Sequence, residues 1–223
     1  MVVDALSEDA TREVARAAGA AVVERAWTNF IDARRFAASS VTTTWTMMLD
    51  ADERLDDALK AAIVAAQPAG DLDAYRLKRV TYFCEQPIRA LGWNERLIRI
   101  FRTGGAELRA HPVSGGNAAL HERWEVPGRI EDLPGVLIHD SYPDRQSYRR
   151  KFESYTTLEA EGLEPSAAAL AWSATFAIPR LLWLLGPRGG LLAGWRGMYL
   201  AFWSALYPVV VRRKALVRAR RRR

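Results

Sequence analysis

The chain has 223 residues, of which 49% are hydrophobic, so it can bury a core and does not have the composition of a disordered chain. Its single cysteine, Cys84, excludes an intrachain disulfide and a zinc cage built from cysteines. Residues 1–164 carry 21 Lys or Arg against 26 Asp or Glu, whereas residues 165–223 carry 11 Lys or Arg and no acid, for a net charge of +6. A basic segment beside an acidic body indicates an anionic partner, either membrane lipid or nucleic acid.

The first part of the chain reads as a strand, a helix and a second strand. A short apolar run at the start is followed by Ser7 or Asp9, either of which can cap a helix with Val14 on its apolar face. The next strand is predicted at residues 20–23, and a second helix at residues 30–41.

Further strands and helices alternate along the rest of the body. Residues 45–49 read as a buried strand that runs into Asp50, and apolar residues recur at helical spacing over residues 55–66. Strands are predicted near residues 74–83, 97–102 and 135–139. This alternation predicts an α/β domain whose sheet is mostly parallel and flanked by helices.

Two acidic residues, Asp50 and Asp52, stand at the end of the predicted strand at residues 45–49. Alternate residues at a strand end can aim two carboxylates at one divalent cation that also holds a diphosphate. The ordinary alternative is a polar loop that caps the helix beginning near Leu55. A single Asp-x-Asp pair does not distinguish between the two.

Six stretches within residues 2–155 match, in the same order, the pattern of one enzyme family. They are residues 2–11 (V-V-D-S-G-S-T-D-x-T in the family), 27–37 (W-x-x-F, then Q-R-N-F-A), 45–53 (W-V-L-x-L-D-A-D-E), 92–102 (G-W-x-x-x-x-x-R-L-F-R), 120–122 (v-H-E) and 137–139 (l-x-H). The chain resembles the family 2 glycosyltransferases, and within them the branch similar to lipopolysaccharide-core glucosyltransferases. Several motifs in the right order are far more specific than any one of them.

The resemblance implies a GT-A fold and inverting transfer of a sugar from a nucleoside-diphosphate-sugar donor. It also implies a divalent cation, Mg²⁺ or Mn²⁺. The residues that match functional positions of the family are Asp4 (donor base), Asp50 (near the ribose), Arg99 (near the diphosphate), Asp52 and His139 (metal) and Glu122 (catalytic base). Inverting transfer requires a base to remove the proton of the acceptor hydroxyl, and a carboxylate suits this role.

The sequence departs from the family pattern in three places. Family members begin with a further strand and helix, a piece on the order of 30 residues, and this sequence is expected to lack it. The glycine of the first motif is Leu6, which lacks the backbone freedom of glycine. The family's Arg-Asn pair is Arg34 followed by Arg35.

The later candidate residues also have ordinary structural interpretations. For Glu122 the alternative is a surface ion pair with Arg123, and for His139 it is a histidine at a strand end whose hydrogen bonds are satisfied. For Arg99 the alternative is a solvent-facing position, and for Trp93 it is a core position rather than a platform for the acceptor.

Residues 165–223 are apolar, rich in tryptophan and basic. Their longest uncharged runs, residues 165–179 and 197–211, have 15 residues each, fewer than the about 20 that a membrane span needs. Aromatic residues at helical spacing and the arginines favour a helical region that lies in the plane of an anionic membrane. A helical hairpin packed on the preceding domain is the alternative. Nucleic-acid binding is disfavoured because no aromatic-basic groove motif accompanies the arginines.

The sequence thus predicts a GT-A-like domain over residues 1–164 and a membrane-associating helical region over residues 165–223. The expected activity is transfer of a sugar to a glycolipid or envelope-glycan acceptor at the cytoplasmic face of the plasma membrane, with no nucleic acid as partner. The rival hypotheses are an inactive, truncated remnant that binds membrane and a nucleic-acid-binding protein with a basic tail.

Overall fold

The computed structural model describes residues 1–68, 70–110 and 122–221, so Leu120 and His121 of the fifth motif lie outside the described residues. The strands are β1 (Val2–Asp4), β2 (Val22–Glu24), β3 (Trp45–Met47), β4 (Glu53–Leu55), β5 (Leu72–Phe83), β6 (Gln86–Pro87), β7 (Glu95–Arg102), β8 (Glu107–Ala110), β9 (Glu122–Glu125), β10 (Arg129–Asp132) and β11 (Leu137–Tyr142). The helices are α1 (Thr11–Ala17), α2 (Phe30–Ser39), α3 (Asp57–Ala65), α4 (Arg145–Glu161), α5 (Ala167–Leu185) and α6 (Gly194–Arg221).

Strand β5 is the centre of a seven-stranded sheet. It pairs in parallel with β10 and β11 and antiparallel with β6 and β7, while β3 and β4 add antiparallel to β7 and β11. The α/β class is confirmed, but the sheet is mixed, which corrects the expectation of mostly parallel strands. Short connections between β5, β6 and β7 allow antiparallel neighbours, and an apolar pattern does not encode the direction of a strand.

Strands β1 and β2 pair in parallel as a separate two-stranded sheet, with α1 between them in sequence, as predicted. The expected cap by Ser7 or Asp9 is wrong, because the N-cap of α1 is Ala10 and no side chain caps the helix. Oδ1 of Asp9 does accept a hydrogen bond from the backbone N–H of Thr11 at 3.0 Å. The apolar face expected for this helix is not buried. Helix α1 buries no residue and the side chain of Val14 is 65% exposed, because no other described element covers it.

Polar side chains at the start of four helices accept hydrogen bonds from the first turn. The caps are Asn29 for α2 (2.9 Å), Asp56 for α3 (2.7 Å), Asp144 for α4 (2.6 Å) and Ser166 for α5 (3.1 Å). Each cap satisfies one of the backbone N–H groups that a helix leaves without an internal partner. The predicted second helix ends at Ser39, two residues before the expected end.

Three clusters of buried side chains hold the helices to the sheets. In the first, Leu59 of α3 packs on Leu72 and Leu137. In the second, Ile31 of α2 lies against a cluster that contains Phe101. The third cluster, around Phe83 at the end of β5, joins the sheet to α4 and α6, and it is rich in aromatic side chains.

Helix α6 is part of this third cluster. Leu200 and Ala201 are fully buried beside Phe83. Further along, Nζ of Lys214 donates to the carbonyl oxygen of Glu153 in α4 at 2.9 Å. Of the two predictions for this region, packing on the preceding domain is the one that describes α6. The domain boundary at residue 165 stays a prediction.

Helix α5 differs from α6 because its apolar side chains face outward. Trp172 is 67% exposed and Ile178 is 69% exposed. Within the described part of the chain, α5 is the one helix long and apolar enough to cross a membrane, by length and composition alone. Its single charged residue is Arg180, which lies between two apolar stretches of the helix.

Candidate active site

The Asp-x-Asp motif forms a tight turn between β3 and β4. The N–H of Glu53 donates to the carbonyl oxygen of Asp50 at 2.9 Å, and the N–H of Asp50 donates to Oε2 of Glu53 at 3.1 Å. Because Asp56 caps α3, the motif is not the helix cap, and that alternative is wrong. The carboxylates of Asp50 and Asp52 instead contact different elements of the fold.

Two arginines hold the carboxylate of Asp50. Nη2 of Arg34 donates to both of its oxygens at 2.8 Å, and Nη2 of Arg99 donates to Oδ2 at 2.8 Å. Arg99 also donates to Oε1 of Glu53 at 2.6 Å, and both residues are buried. The solvent-facing alternative for Arg99 is wrong, because the pairing of β7 with β3 brings it beside the turn.

Glu122, the candidate base, begins strand β9 and forms an ion pair with Arg34. Its side chain is only 3% exposed, whereas Arg123 pairs with Glu95 at 3.4 Å, so the surface-pair alternative is wrong. Oε2 of Glu122 is buried and has no hydrogen-bond partner among the residues that the structure describes. Arg34 therefore joins the candidate base to Asp50 of the acidic motif.

Asp52 contacts two basic groups on the other side of the turn. Its Oδ2 lies 3.4 Å from Nε2 of His139 and 3.0 Å from Nζ of Lys151. His139 comes from β11, where it stands opposite Glu53 of β4, and its Nδ1 lies 3.4 Å from the hydroxyl of Thr81. The structure thus brings Asp52 and His139 together, as two ligands of one metal ion would have to be.

Asp4 stands apart from these groups. Its carboxylate accepts hydrogen bonds from the N–H of Ser7 at 2.9 Å and the hydroxyl of Ser7 at 2.5 Å, and it lies 3.8 Å from Nε of Arg12. No hydrogen bond or ion pair within the described ranges joins it to the other five candidate residues. Leu6, at the glycine position of the motif, has a φ of +64°, so a leucine adopts the left-handed conformation that glycine adopts freely.

Comparison with known proteins identifies the domain. A family model described as Glycosyl transferase family 2 matches residues 1–125, which is more than half of the chain. The chain belongs to this family. The mixed sheet flanked by helices agrees with a GT-A-like fold, so the family and fold expected from the sequence are confirmed.

Two curated relatives of this chain come from Rickettsia, and both are named uncharacterized glycosyltransferases. The protein of Rickettsia typhi is 25% identical and that of Rickettsia prowazekii 24% identical, each over 169 residues. Each alignment covers 73% of this chain and 58% of the relative. The chain therefore spans less than two thirds of the length of these relatives, and the branch related to lipopolysaccharide-core enzymes stays a prediction.

The two carboxylates of the acidic motif are ionised despite their partial burial. Burial raises the pKa of Asp50, but the charges of Arg99 and Arg34 outweigh this effect and leave the pKa below its ordinary value. Burial likewise opposes ionisation of Asp52, while hydrogen bonds and charges from His139 and Lys151 hold its pKa well below 3.8. Both carboxylates are thus charged and ready to meet a cationic or hydrogen-bonding ligand at neutral pH.

The donor atoms beside Asp52 fit a cation that is shared with a substrate. No group of three His, Cys, Asp or Glu side chains converges on one point in the described ranges, so these residues do not form an all-protein cage. A small hard cation such as Mg²⁺ is commonly held by one or two carboxylates together with substrate phosphates and water. Asp52, with His139 at its side, offers one such carboxylate.

Three residues of the site escaped the sequence reasoning, which gave no role to Arg34, Glu53 or Lys151. In the sequence Arg34 stands out only as a departure from the family pattern. Lys151 lies in a run of basic residues on α4 that gives no sign of which one turns inward. Glu53 directly follows Asp52 in the sequence, and this position next to the motif is the one signal that could have indicated a role for it. In the structure it closes the turn and pairs with Arg99.

Proposed function

We propose that this glycosyltransferase catalyses inverting transfer of a sugar from a nucleoside-diphosphate-sugar donor to an acceptor hydroxyl. The observation that carries the proposal is the position of Glu122, a buried carboxylate whose Oε2 has no partner among the described residues. Arg34 holds it beside Asp50, at the edge of the acidic motif. Inverting transfer requires a base beside the donor, and Glu122 offers an oxygen that has no partner in the described part of the chain.

In the proposed reaction, Glu122 accepts the proton of the acceptor hydroxyl. The acceptor oxygen forms a bond to the anomeric carbon of the donor as the bond from that carbon to the diphosphate oxygen breaks. The products are the glycosylated acceptor, a nucleoside diphosphate and a proton on Glu122, which solvent then removes. The ion pair with Arg34 holds the carboxylate of Glu122 in place at the start of the reaction.

The donor is proposed to lie along the acidic turn. In this arrangement Asp50 binds the ribose and Arg99 lies toward the diphosphate. Asp4 approaches the nucleobase of the donor from the separate β1–β2 sheet. A divalent cation, when bound at Asp52 and His139, would stabilise the charge of the departing diphosphate. Lys151, whose Nζ is 3.0 Å from Asp52, adds a fixed positive charge to the same place.

The acceptor is proposed to be a glycolipid or envelope glycan similar to a lipopolysaccharide core, reached from the cytoplasmic face of the membrane. Support comes from the outward apolar side of α5, which exposes Trp172, Phe176 and Trp183. Arg145 and Arg149 of α4 lie 5.7 Å and 5.6 Å from ring centroids of α6 tryptophans, so basic and aromatic groups share one edge. Such edges suit an anionic membrane surface.

Calorimetry with a nucleoside diphosphate tests the proposed donor site. Affinity for the nucleoside diphosphate should rise when Mn²⁺ is present. Asp52→Asn should lower the affinity measured with Mn²⁺ by at least about tenfold, since even replacement of residues that only contact a metal ligand has effects of that size. Asp57→Asn is the matched control, because its side chain is 99% exposed on α3. An equal affinity in Asp52→Asn and wild type would contradict the metal assignment.

Hydrolysis or transfer with a panel of nucleoside-diphosphate sugars tests catalysis separately. Turnover of at least one donor that is lost in Glu122→Gln supports the proposed enzyme. Nucleoside-diphosphate binding without turnover of any donor would favour the rival hypothesis of an inactive remnant.

A further inference from the structure

A cavity of about 210 Å³ lies where α4, α5 and α6 meet the end of the sheet. Its walls are aromatic rings together with one charged side chain. The residues that matter here are Trp93, Tyr142, Tyr148, Tyr155, Tyr207 and Arg180. Aromatic rings beside a single cation form a surface on which a sugar ring can stack and a phosphate can be paired.

Arg180 is the unusual member of this set. It is the single charged residue of α5, a helix that is otherwise apolar, and it is exposed. It makes no ion pair or hydrogen bond with any other residue in the described ranges. Arg180 is thus the one cation that α5 contributes to the lining of the cavity. Its guanidinium is therefore available to an anionic ligand.

The cavity adjoins the candidate donor site. Tyr142 forms one of its walls, and Nζ of Lys151 lies 5.4 Å from the centroid of the Tyr142 ring. The same Nζ lies 3.0 Å from Oδ2 of Asp52. A ligand in the cavity is thus separated by one side chain from the place where the donor diphosphate is proposed to bind.

Tyr207, which also lines the cavity, is held by a part-buried hydrogen bond. The hydroxyl of Tyr207 donates to Oε2 of Glu159 at 2.6 Å, and Glu159 is buried. This contact occupies the hydroxyl of Tyr207 and leaves its ring to face the cavity. The volume is below the about 300–1,000 Å³ of sites for drug-sized molecules, so it suits one sugar ring and not an oligosaccharide.

We propose that this cavity is the acceptor site and that it binds a sugar ring together with the adjacent phosphate of a lipid-linked glycan. The aromatic walls stack on the ring, Arg180 pairs with the phosphate, and the outward apolar side of α5 accompanies the lipid chain. The proposal rests on the glycosyltransferase function proposed above, because it names the acceptor of that same site.

Calorimetry in neutral detergent, without donor, tests the cavity directly. The probes are a sugar joined by a diphosphate to a decyl chain and the neutral decyl glycoside of the same sugar. The full chain should bind the phosphorylated probe at least about tenfold more tightly, as a charge-assisted hydrogen bond implies. Arg180→Gln should abolish this preference, and Arg180→Lys, which keeps the charge, should retain most of it. Arg213→Gln, an exposed arginine of α6, is the matched control and should behave as wild type.

The possible results separate this proposal from its alternatives. The cavity assignment is overturned if the wild type binds the phosphorylated and neutral probes equally, or if Arg180→Gln still prefers the phosphorylated probe. This holds even if donor hydrolysis and nucleoside-diphosphate binding are normal. Equal binding of dioleoylphosphatidylglycerol and the phosphorylated sugar probe also overturns it, because Arg180 would then contact bulk lipid head groups. A protein that shows the preference but neither binds a nucleoside diphosphate nor hydrolyses donors keeps the cavity and loses the proposed catalytic function.

Discussion

Arg34 of α2 forms an ion pair with Glu122 of β9, two residues that lie far apart in the chain. The same guanidinium donates to both oxygens of Asp50 at 2.8 Å. One cation therefore stands between the candidate base and the acidic turn. Any change in Arg34 leaves two carboxylates without their shared partner.

Replacement of Arg34 by methionine should destabilise the protein. The variant keeps most of the apolar volume but leaves Glu122 buried and unpaired, which is expected to lower the free energy of unfolding by about 3 kcal/mol. Urea unfolding measures this value. Arg35→Met is the control, since the hydrogen bond of Arg35 in the described ranges goes to the carbonyl oxygen of Leu108 and not to a carboxylate. Adding Glu122→Gln to Arg34→Met should recover part of the loss, and the absence of any recovery would show that the pair is not coupled.

Replacement of Glu122 by glutamine should stop catalysis while leaving the donor site intact. Glutamine keeps the size and hydrogen bonding of the side chain but cannot accept the proton, so turnover should fall by at least roughly 100-fold. Nucleoside-diphosphate affinity should stay near the wild-type value. Glu125→Gln, on the same strand, serves as the control. Turnover that survives in Glu122→Gln would place the base elsewhere.

The acidic turn should make stability depend on pH. The pKa of Asp52 in the folded protein lies below its ordinary value of 3.8, so the folded state favours the ionised form. Its contribution is fully present above about pH 4 and is lost as the pH falls through the folded pKa. Asp52→Asn should therefore be less stable than wild type at pH 6, and the difference should shrink at pH 3. Urea unfolding at both values tests this, and a constant difference would contradict the assignment.

Replacement of Leu6 by glycine should stabilise the turn after Asp4. Leu6 has a φ of +64°, a conformation that carries a penalty of about 1–2 kcal/mol in residues with a Cβ atom. Part of this gain is offset by the greater freedom of glycine in the unfolded chain, so the net increase should be about 0.5–1 kcal/mol. Thermal and urea unfolding measure it. Ala5→Gly should instead destabilise, and equal effects of both changes would refute the strain argument.

Charged substitutions on the outward side of α5 should weaken binding to anionic liposomes. Trp172→Glu and Ile178→Glu place a charge where an apolar side chain is 67% and 69% exposed, so the fold should tolerate them. Sedimentation should show loss of the salt-resistant part of binding. Val64→Glu changes a residue that is 88% exposed on α3 and should bind as wild type. Unaltered binding of both α5 variants would exclude α5 as the anchor.

Truncation gives a second view of the same region. A chain that ends at residue 164 loses Leu200 and Ala201, which are buried beside Phe83. We expect a large drop in melting temperature along with any loss of liposome binding. The point variants in α5 are therefore the sharper test of membrane association.

Much of the fold follows from local signals in the sequence. Periodic apolar residues located α2, α3, β5, β7 and β11, since a helix or strand with one buried face repeats regularly. Strand β4 was missed because three residues carry no period, and Leu55 was assigned to the helix that begins at Asp57. Strand direction was missed because it depends on the connections and not on the side chains.

The residues of the candidate site are predictable from the sequence where a motif contains them. Asp50, Asp52, Glu122 and His139 were found through the order of the family motifs, and the structure brings them into two linked groups. Arg34 and Lys151 were not found, because a basic residue on a helix looks the same whether it faces water or a buried carboxylate. Helix α6 raised the same difficulty, since its tryptophans suit a lipid surface and a protein core equally well.

The position of α6 also affects when the protein can fold during synthesis. Phe83 needs Leu200 and Ala201 to complete its surroundings, and these residues leave the ribosome more than 100 residues later. Until then the nascent chain exposes an aromatic surface that includes Tyr148 and Phe152. Contacts between such distant residues slow folding and prolong the exposure of apolar surface to aggregation. Chaperones are thus expected to engage the nascent chain at this surface until α6 has docked.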